Sequence, residues 1–438
     1  MTGHTQGERT AVDRMVVTAH QVEVPLDWSD PDHSERITVF AREVIAAEKK
    51  DDASLPAICW FQGGPGFEIA YPESRKDWLE QLITRYKVVL LDQRGTGMST
   101  PLDARALPRD DVPALTAYLR NFRADSIIRD ADRVRAAIYG EDSDWHIFGQ
   151  SFGGFCALSY LSFIPAHVKA AIITGGFAPV LHNADAVYES LADRVAERNA
   201  QYYQQFPSDV ARVRRIVDHL ESTTDVDSHG YRLSGRRFLA VGEHLGHVSG
   251  FGELHGLVER AANDLEQLGV LSGFVHAHIA DVMAPATNPI YSVLHEACYQ
   301  QGEATRWAAD RVISKDPRFS LDAKPVPCFT GEMIFPWMFE ELAPLRPLRD
   351  VAEALAALDG WPPLYDVDRL RANTVPTVGT VYWGDPYVDR NFALETAELV
   401  GNCEVWITNE YEHGAYRADP KRVADRLFAM LDQRTAEM

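Results

Sequence analysis

The sequence lacks the cysteine patterns that build disulfide-rich or zinc-bound small proteins. Its 438 residues include five cysteines, and no two of them form a C-x-x-C pair. We therefore expect neither a zinc knuckle nor a disulfide framework. The cysteines are scattered along the chain, at Cys59, Cys156, Cys298, Cys328 and Cys403.

Long apolar runs and an excess of positive charge are also missing. No run of about 18 apolar residues occurs, and residues 1–15 lack the apolar core of a secretory signal. The chain contains 43 Lys and Arg residues and 64 Asp and Glu residues, which gives it a net charge of −21. Such a surface repels nucleic acid and anionic membranes. We therefore expect a cytoplasmic protein with neither of these as a partner.

What the sequence does contain is a nucleophile-elbow pattern at Gly149-Gln150-Ser151-Phe152-Gly153. A serine on a tight strand-to-helix turn adopts a strained backbone, and the glycines on either side leave room for it. An apolar stretch at 144–148 predicts the strand before the turn, and residues 155–164 predict the buried helix after it. The pattern makes Ser151 the candidate nucleophile and places the N–H of Phe152 where an oxyanion would form.

Strand and helix patterns alternate on both sides of this elbow. Alternating polarity predicts antiparallel strands at 20–26 and 36–45, whereas 1–15 resembles a loose tail. Continuous apolar stretches at 86–91 and 168–174 are typical of a covered parallel sheet. The sequence therefore predicts an α/β fold with a mostly parallel sheet.

A long helical segment interrupts this alternation. Helical periodicity dominates from about 181 to 368, and strand patterns resume at 375–383. We predict a core in two parts, 1–180 and 369–438, with a large inserted helical cap at 181–368. The helices expected within the cap are 183–205, 207–221, 234–245, 252–268 and 289–301.

Two loops follow early strands and allow more than one interpretation. The glycine-rich loop at 62–68 lacks the Lys-Ser/Thr ending of a phosphate loop, so we expect Gly63 and Gly64 to supply the second oxyanion donor. The loop at 92–99 reads D-Q-R-G-T-G-M-S. It is either a wall of the active-site mouth or a tight turn pinned by an Asp–Arg pair, and we favour the turn.

An activated serine needs a base and an orienting carboxylate. In α/β-hydrolases these follow the serine in the order acid, then histidine. Asp385 follows a late strand and His413 follows the next one, at the sheet edge expected for Ser151. Asp389 competes with Asp385 in the same loop, and we prefer Asp385 because it lies nearer the end of the strand.

Two histidine pairs raise the question of a metal site. His244 and His247 are three residues apart, and His276 and His278 lie nearby in the sequence. Because no acid stands at a matching ligand spacing, we expect no metal and no other cofactor.

These motifs together resemble the proline iminopeptidase (prolyl aminopeptidase) family of α/β-hydrolase serine peptidases. The resemblance rests on the Q-G-G-P-G stretch from Gln62, on the 92–99 loop and on the elbow, with Asp385 and His413 in the late positions. It covers both core segments and is closest to the larger members with an enlarged cap. The chain departs from the family at Gln62, where histidine is common, and in its G-D-P-Y-V-D loop.

The resemblance implies release of N-terminal proline from peptides, with the free amine held by glutamates of the cap. The best match is the aromatic-rich stretch T-G-E-M-I-F-P-W-M-F-E-E at 330–341. We assign the amine to Glu332, with Glu340 and Glu341 as candidates for a second contact. Phe335 and Trp337 either wall a proline pocket or pack in the cap.

Two other functions remain open at this stage. One is another capped hydrolase, an esterase or an amidase, which would not need an acid for a free amine. The other is a catalytically silent binding protein, against which the intact order Ser151, Asp385, His413 argues.

Overall fold

The computed structural model describes residues 3–107, 110–226, 230, 232–282 and 288–436. Across these residues it contains nine strands and seventeen α-helices. The strands are β1 His4–Val12, β2 Met15–Pro25, β3 Arg36–Ala46, β4 Ala57–Phe61, β5 Lys87–Asp92, β6 Trp145–Gln150, β7 Val168–Thr174, β8 Thr377–Tyr382 and β9 Cys403–Thr408.

The helices fall into three groups along the chain. Those before β7 are α1 Asp77–Ile83, α2 Val112–Leu119, α3 Ala124–Tyr139 and α4 Phe152–Phe163. Those between β7 and β8 are α5 Ala184–Gln205, α6 Asp209–Ser222, α7 Gly235–Leu239, α8 Gly250–Gln267, α9 Gly273–Val282, α10 Pro289–Leu294, α11 Ala308–Ile313, α12 Met338–Glu341, α13 Arg349–Ala356 and α14 Val367–Arg371. The last are α15 Arg390–Leu399, α16 Ala415–Ala418 and α17 Pro420–Ala436.

The strands form one mostly parallel sheet in the order β1-β2-β3-β5-β4-β6-β7-β8-β9. The first three strands are antiparallel and β3 pairs antiparallel with β5, whereas the remaining neighbours are parallel. Strands β4 to β8 are wholly or almost wholly buried, which explains their continuous apolar sequences. The predicted α/β fold is confirmed.

The prediction of a loose tail at the N-terminus was wrong. Residues His4–Val12 form β1, an edge strand paired with β2 over most of its length. Its side chains are mostly exposed, so it carries no apolar alternation that would reveal a strand. Backbone hydrogen bonds to β2 hold it in place instead.

The segment between β7 and β8 is helical, and its described residues include no strand. Part of it has a separate apolar core, in which Val213, Phe238, Leu257 and Phe329 are buried. Other helices of the segment share the main core with the sheet, as Tyr188 of α5 and Val351 of α13 do. The helices are thus anchored on the sheet and also pack on one another. Among the described residues, no helix combines the length and apolar character needed to cross a membrane.

The loop at 92–99 is pinned by ion pairing, but not by the pair that its sequence suggests. The Arg94 guanidinium donates to both carboxylate oxygens of Asp130 in α3, at 2.7 and 2.6 Å, and both side chains are fully buried. Asp92 instead accepts the backbone N–H groups of Ile69 and Met98. The turn interpretation therefore describes the loop, with Asp130 as the partner of Arg94 in place of Asp92.

We predict that Arg94→Met lowers the free energy of unfolding by about 3–5 kcal/mol, because the Asp130 carboxylate would stay buried without its cation. Urea denaturation followed by circular dichroism measures the change. The control is Arg105→Met, which breaks the Asp103 pair of an arginine that is 89% exposed, and it should cause no measurable change. Equal stability of Arg94→Met and the unchanged protein would contradict the prediction.

Candidate active site

Ser151 occupies the sharp turn between β6 and α4. Its backbone has φ 55° and ψ −126°, a conformation that few non-glycine residues adopt and that concentrates at functional sites. The turn is held by hydrogen bonds from Ser151 N to Thr174 O at 2.9 Å and from Gly154 N to Ser151 O at 2.7 Å. The strand, turn and helix predicted around the elbow are all present.

The two glycines of the elbow motif are required by close backbone contacts. A Cβ on Gly149 would lie 2.2 Å from Gly153 O, and one on Gly153 would lie 2.0 Å from Phe61 O. Neither position has room for a methyl group unless the backbone moves. The turn therefore packs directly against the end of β4, where the glycine-rich loop begins.

His413 and Asp385 meet at the carboxyl ends of β9 and β8. His413 Nδ1 lies 2.7 Å from Asp385 Oδ2. A carboxylate only accepts hydrogen bonds, so in the neutral imidazole Nδ1 carries the proton and Nε2 keeps a lone pair. The other carboxylate oxygen accepts the N–H groups of Tyr387 at 2.8 Å and Val388 at 3.1 Å, which fixes its orientation.

Asp389, the competing acid in the same loop, is engaged elsewhere. Its Oδ2 accepts from Arg194 Nε at 2.8 Å, and its Oδ1 caps α15 by accepting from the N–H groups of Asn391 and Phe392. This carboxylate fastens the loop to α5 and starts a helix. Asp385 is the acid in this loop that contacts His413.

The electrostatics around His413 favour its protonation. Burial lowers the pKa of His413, but the charge and hydrogen bond of Asp385, together with the charge of Glu332, raise it to a net value above its usual 6.5. A base whose pKa is raised in this way accepts a proton more readily. The carboxylates are therefore arranged to stabilise an imidazolium.

A cavity of about 680 Å³ opens at this edge of the sheet. Ser151, His413, Gly63, Gly64 and Glu332 all line it, so the structure brings these five predicted residues together. The remaining lining comes from the core and from the helical segment: Gln62, Phe67, Gln150, Glu243, Gly246, His247, Val248, Ser249, Tyr291, Tyr387, Gly414, Arg417 and Ala418.

The predicted oxyanion donors flank the serine. Phe152 is the first residue of α4, so its N–H belongs to the positive end of a helix. Gly63 packs against the elbow, and a Cβ placed there would lie 3.1 Å from Ser151 Cβ. Backbone N–H groups in these positions suit the stabilisation of an oxyanion on a carbonyl attacked by Ser151.

Two carboxyl groups of the helical segment reach the cavity. Glu332 Oε1 accepts a hydrogen bond from Tyr291 Oη at 2.8 Å, and burial raises the pKa of Glu332. Burial and the charge of Glu332 raise the pKa of Glu243 to about 8. His295 lies 4.0 Å from Glu332, but burial lowers its pKa to about 4 and keeps it neutral. The two carboxyl groups, of Glu332 and Glu243, are therefore suited to bind a cationic ligand.

Four residues predicted to bind substrate do not line this cavity. Glu341 binds Arg236, with Nε to Oε1 at 2.8 Å, and accepts from Ser234 Oγ at 2.6 Å, while Glu340 is exposed. Phe335 is buried, and its ring stacks on that of Trp337 at 5.8 Å. Packing and ion pairing inside the helical segment therefore account for Glu341, Phe335 and Trp337, whereas Glu340 points to solvent.

Three residues of the cavity were not predicted from the sequence: Glu243, Tyr291 and Tyr387. The Tyr387 ring packs edge-on to His413 with centroids 4.9 Å apart, and its hydroxyl donates to the backbone carbonyl of Glu243. Tyr387 lies two residues after Asp385, so its place in the catalytic loop was the available signal. Glu243 and Tyr291 carry no local motif, and only the tertiary fold brings them to the cavity.

The reactivity of Ser151 is predicted to fall as pH decreases through the pKa of His413. Protonated His413 cannot accept the serine proton, so labelling by a fluorophosphonate should slow below a midpoint above pH 6.5. Asp385→Asn should slow labelling by about 10⁴-fold, because it favours the wrong tautomer.

The matched control for this experiment is Asp389→Asn in the same loop. It removes the Arg194 partner and the cap of α15, so it should reduce thermal stability while Ser151 stays reactive. Equal losses of reactivity in the two variants would contradict the assignment of Asp385.

The chain is similar to several known proteins. A family model described as the alpha/beta hydrolase fold matches residues 56–218. The chain is 39% identical to a proline iminopeptidase of Aeromonas sobria over 94% of this chain and 95% of that protein. It is 36% identical to the proline iminopeptidase aneH of Aspergillus aculeatus, over 94% and 93%. The solved structure of a Mycobacterium smegmatis proline iminopeptidase covers 94% of this chain and 98% of its own, with 12% identity and a TM-score of 0.44.

Proposed function

The chain belongs to the proline iminopeptidase family of α/β-hydrolases, and on that basis we propose how its residues release an N-terminal proline from peptides. The relatives that establish the family are similar over nearly their whole length. The protein is thus a serine aminopeptidase. The observation that carries the proposed mechanism is a cavity where Ser151 and His413 meet two carboxyl groups.

Ser151 is the nucleophile and His413 its base. The Nε2 lone pair of His413 takes the hydroxyl proton as Ser151 Oγ bonds to the carbonyl carbon of the N-terminal residue. Asp385 holds the imidazole in the required tautomer and stabilises its positive charge. His413 then gives the proton to the leaving amine, and the C–N bond breaks. Water, activated by the same histidine, hydrolyses the acyl-enzyme and frees proline.

The oxyanion of each tetrahedral intermediate is stabilised by backbone N–H groups. The donors are Phe152 N–H and an N–H from the Gly63–Gly64 region. Preorganised donors of this kind contribute most to catalysis because they need no reorientation as charge develops. The direct packing of Gly63 on Ser151 supports this assignment.

The free amino group of the substrate is bound by Glu332 and Glu243. An N-terminal proline carries a secondary ammonium, which has two N–H donors, one for each carboxyl group. The charge that Glu243 lacks near neutral pH returns when the cation arrives, since a nearby positive charge lowers the pKa of an acid. Tyr291 holds Glu332 in place. The aminopeptidase thereby recognises a free N-terminus.

Residues 181–368 form the cap domain over this cavity. The segment supplies both glutamates and Tyr291, whereas the sheet and its loops supply the nucleophile, base and oxyanion donors. Divided in this way, the site requires both parts for catalysis. The substrates are peptides with an unblocked N-terminus.

Hydrolysis of arylamides tests the activity directly. Proline arylamide should be cleaved, and N-acetylproline arylamide should be cleaved slowly or not at all, because acetylation removes the cation. Alanine and leucine arylamides measure how strictly proline is required. Ser151→Ala should lose at least about 10⁴-fold in kcat. An unblocked proline arylamide that stays intact while an aryl ester is cleaved would contradict the peptidase function.

The amine site is tested by Glu332→Gln, which keeps an acceptor for Tyr291 but removes the charge. We expect kcat/KM for proline arylamide to fall at least 30-fold, which corresponds to about 2 kcal/mol of lost interaction with the ammonium group. The matched control is Glu340→Gln, an exposed acid of the same segment, which should retain full activity. Similar losses in both variants, or full activity in Glu332→Gln, would contradict the assignment.

A further inference from the structure

Three potential metal ligands meet where the cavity opens toward the helical segment. The candidate donor atoms of His244, His247 and Glu253 all lie within 4.8 Å of one another. His244 Nδ1 and Glu253 Oε2 are 3.0 Å apart. In the part of the chain that the structure describes, this is the only group of three or more His, Cys, Asp or Glu residues with such spacing.

The sequence shows no acid at a matching ligand spacing from His244 and His247, but the local fold brings Glu253 close to both. His244 lies in a 3₁₀ segment, Ala240–Gly246, which a tight turn connects to α8. His247 N donates to His244 O at 2.9 Å, and Gly250 N donates to His247 O at 3.1 Å. The reversal places Glu253, in the first turn of α8, beside His244.

The turn depends on glycine at position 250. A Cβ there would lie 1.6 Å from His244 O, so a larger residue would push the two arms of the turn apart. The arms carry His244 and Glu253. The geometry of the three-residue cluster is therefore imposed by the backbone and does not depend on side-chain rotamers alone.

The donor set matches a borderline transition metal. Two imidazoles and one carboxylate suit Zn²⁺ and its neighbours, whereas Mg²⁺ and Ca²⁺ prefer oxygen ligands alone. Ligands about 2.0–2.1 Å from a tetrahedral zinc ion lie about 3.3 Å from each other, close to the separation of His244 and Glu253. Three protein ligands leave one position for water.

A hydrogen bond from a neighbouring side chain also orients one of the three ligands. Ser249 Oγ donates to the second carboxylate oxygen of Glu253. Such an outer hydrogen bond orients a ligating carboxylate. The large negative net charge of the chain further favours a cation.

The cluster is connected to the catalytic site through His247. This residue lines the cavity with Val248 and Ser249. Its ring packs edge-on to Tyr387 with centroids 6.2 Å apart, and Tyr387 packs on His413. A metal ion on His247 would immobilise the 246–250 turn at the wall of the cavity.

We propose that His244, His247 and Glu253 form an inhibitory site for Zn²⁺ or a similar divalent transition metal at the mouth of the catalytic cavity. The site is separate from Ser151, Asp385 and His413, and the ion takes no part in the hydrolysis. Its binding slows entry to the cavity by fixing the turn that carries His247.

Calorimetric titration of the full-length protein with Zn²⁺ in a non-chelating buffer tests binding. We expect one site, weakened at least 10-fold in His244→Ala and in Glu253→Gln. Neither residue lines the cavity, so both variants should keep their activity without metal. His278→Ala, which removes a histidine of α9 outside the cluster, is the matched control and should bind like the unchanged protein.

Inhibition is measured as the rate of Ser151 labelling by a fluorophosphonate with and without Zn²⁺. This readout does not depend on which substrate the enzyme hydrolyses. Zn²⁺ should slow labelling of the unchanged protein and of His278→Ala, and it should do so at least 10-fold less potently in the two cluster variants.

Three results would overturn the proposal. The first is absence of Zn²⁺ binding, and the second is binding or inhibition that both cluster variants retain, which would place the ion on His413 or elsewhere. The third comes from Co²⁺ as a spectroscopic probe: thiolate charge-transfer bands would assign the ion to a cysteine, whereas imidazole and carboxylate ligands give only weak visible bands.

Discussion

The close approach of three backbone segments at the elbow is the constraint on which the site depends. Gly149, Gly153, Gly154 and Gly176 have no room for a side chain, because each faces a backbone carbonyl at 2.0–2.4 Å from the position of a Cβ. This packing binds β4, α4 and the end of β7 into one rigid unit. Only such a unit can keep Ser151 at a positive φ, with its strain balanced by the surrounding structure. The oxyanion region is fixed by the same contacts, since Gly63 rests on Ser151.

The site contains several carboxyl groups, and their negative charge favours a cationic ligand. Asp385 stabilises the imidazolium of His413, and Glu332 adds to this effect from the helical segment. Burial and the charge of Glu332 oppose the ionisation of Glu243 when no cation is bound. In the proposed mechanism, the substrate amine completes an electrostatic arrangement that is unfavourable without it. A blocked N-terminus offers no such compensation, which gives a physical reason for an aminopeptidase to ignore internal peptide bonds.

Much of this arrangement is readable from sequence because local patterns impose it. The elbow glycines, the buried strands and the order of Ser151, Asp385 and His413 follow from steric and topological rules. The edge strand β1 could not be predicted from the sequence, because its side chains are mostly exposed and it is held by backbone pairing. The partner of Arg94 and the role of Glu243 depend on contacts between residues far apart in the chain. Aromatic residues such as Phe335 and Trp337 suggest a pocket, yet the same pattern serves core packing.

Tyr387 connects the loop after β8 to the helical segment, next to the catalytic histidine. Its ring contacts the catalytic base, its hydroxyl holds the backbone of Glu243, and its N–H holds Asp385. Any outward motion of the Glu243 segment must therefore break this link or pull on the loop that orients His413. The seating of the helical segment and the alignment of the catalytic base therefore depend on the same side chain.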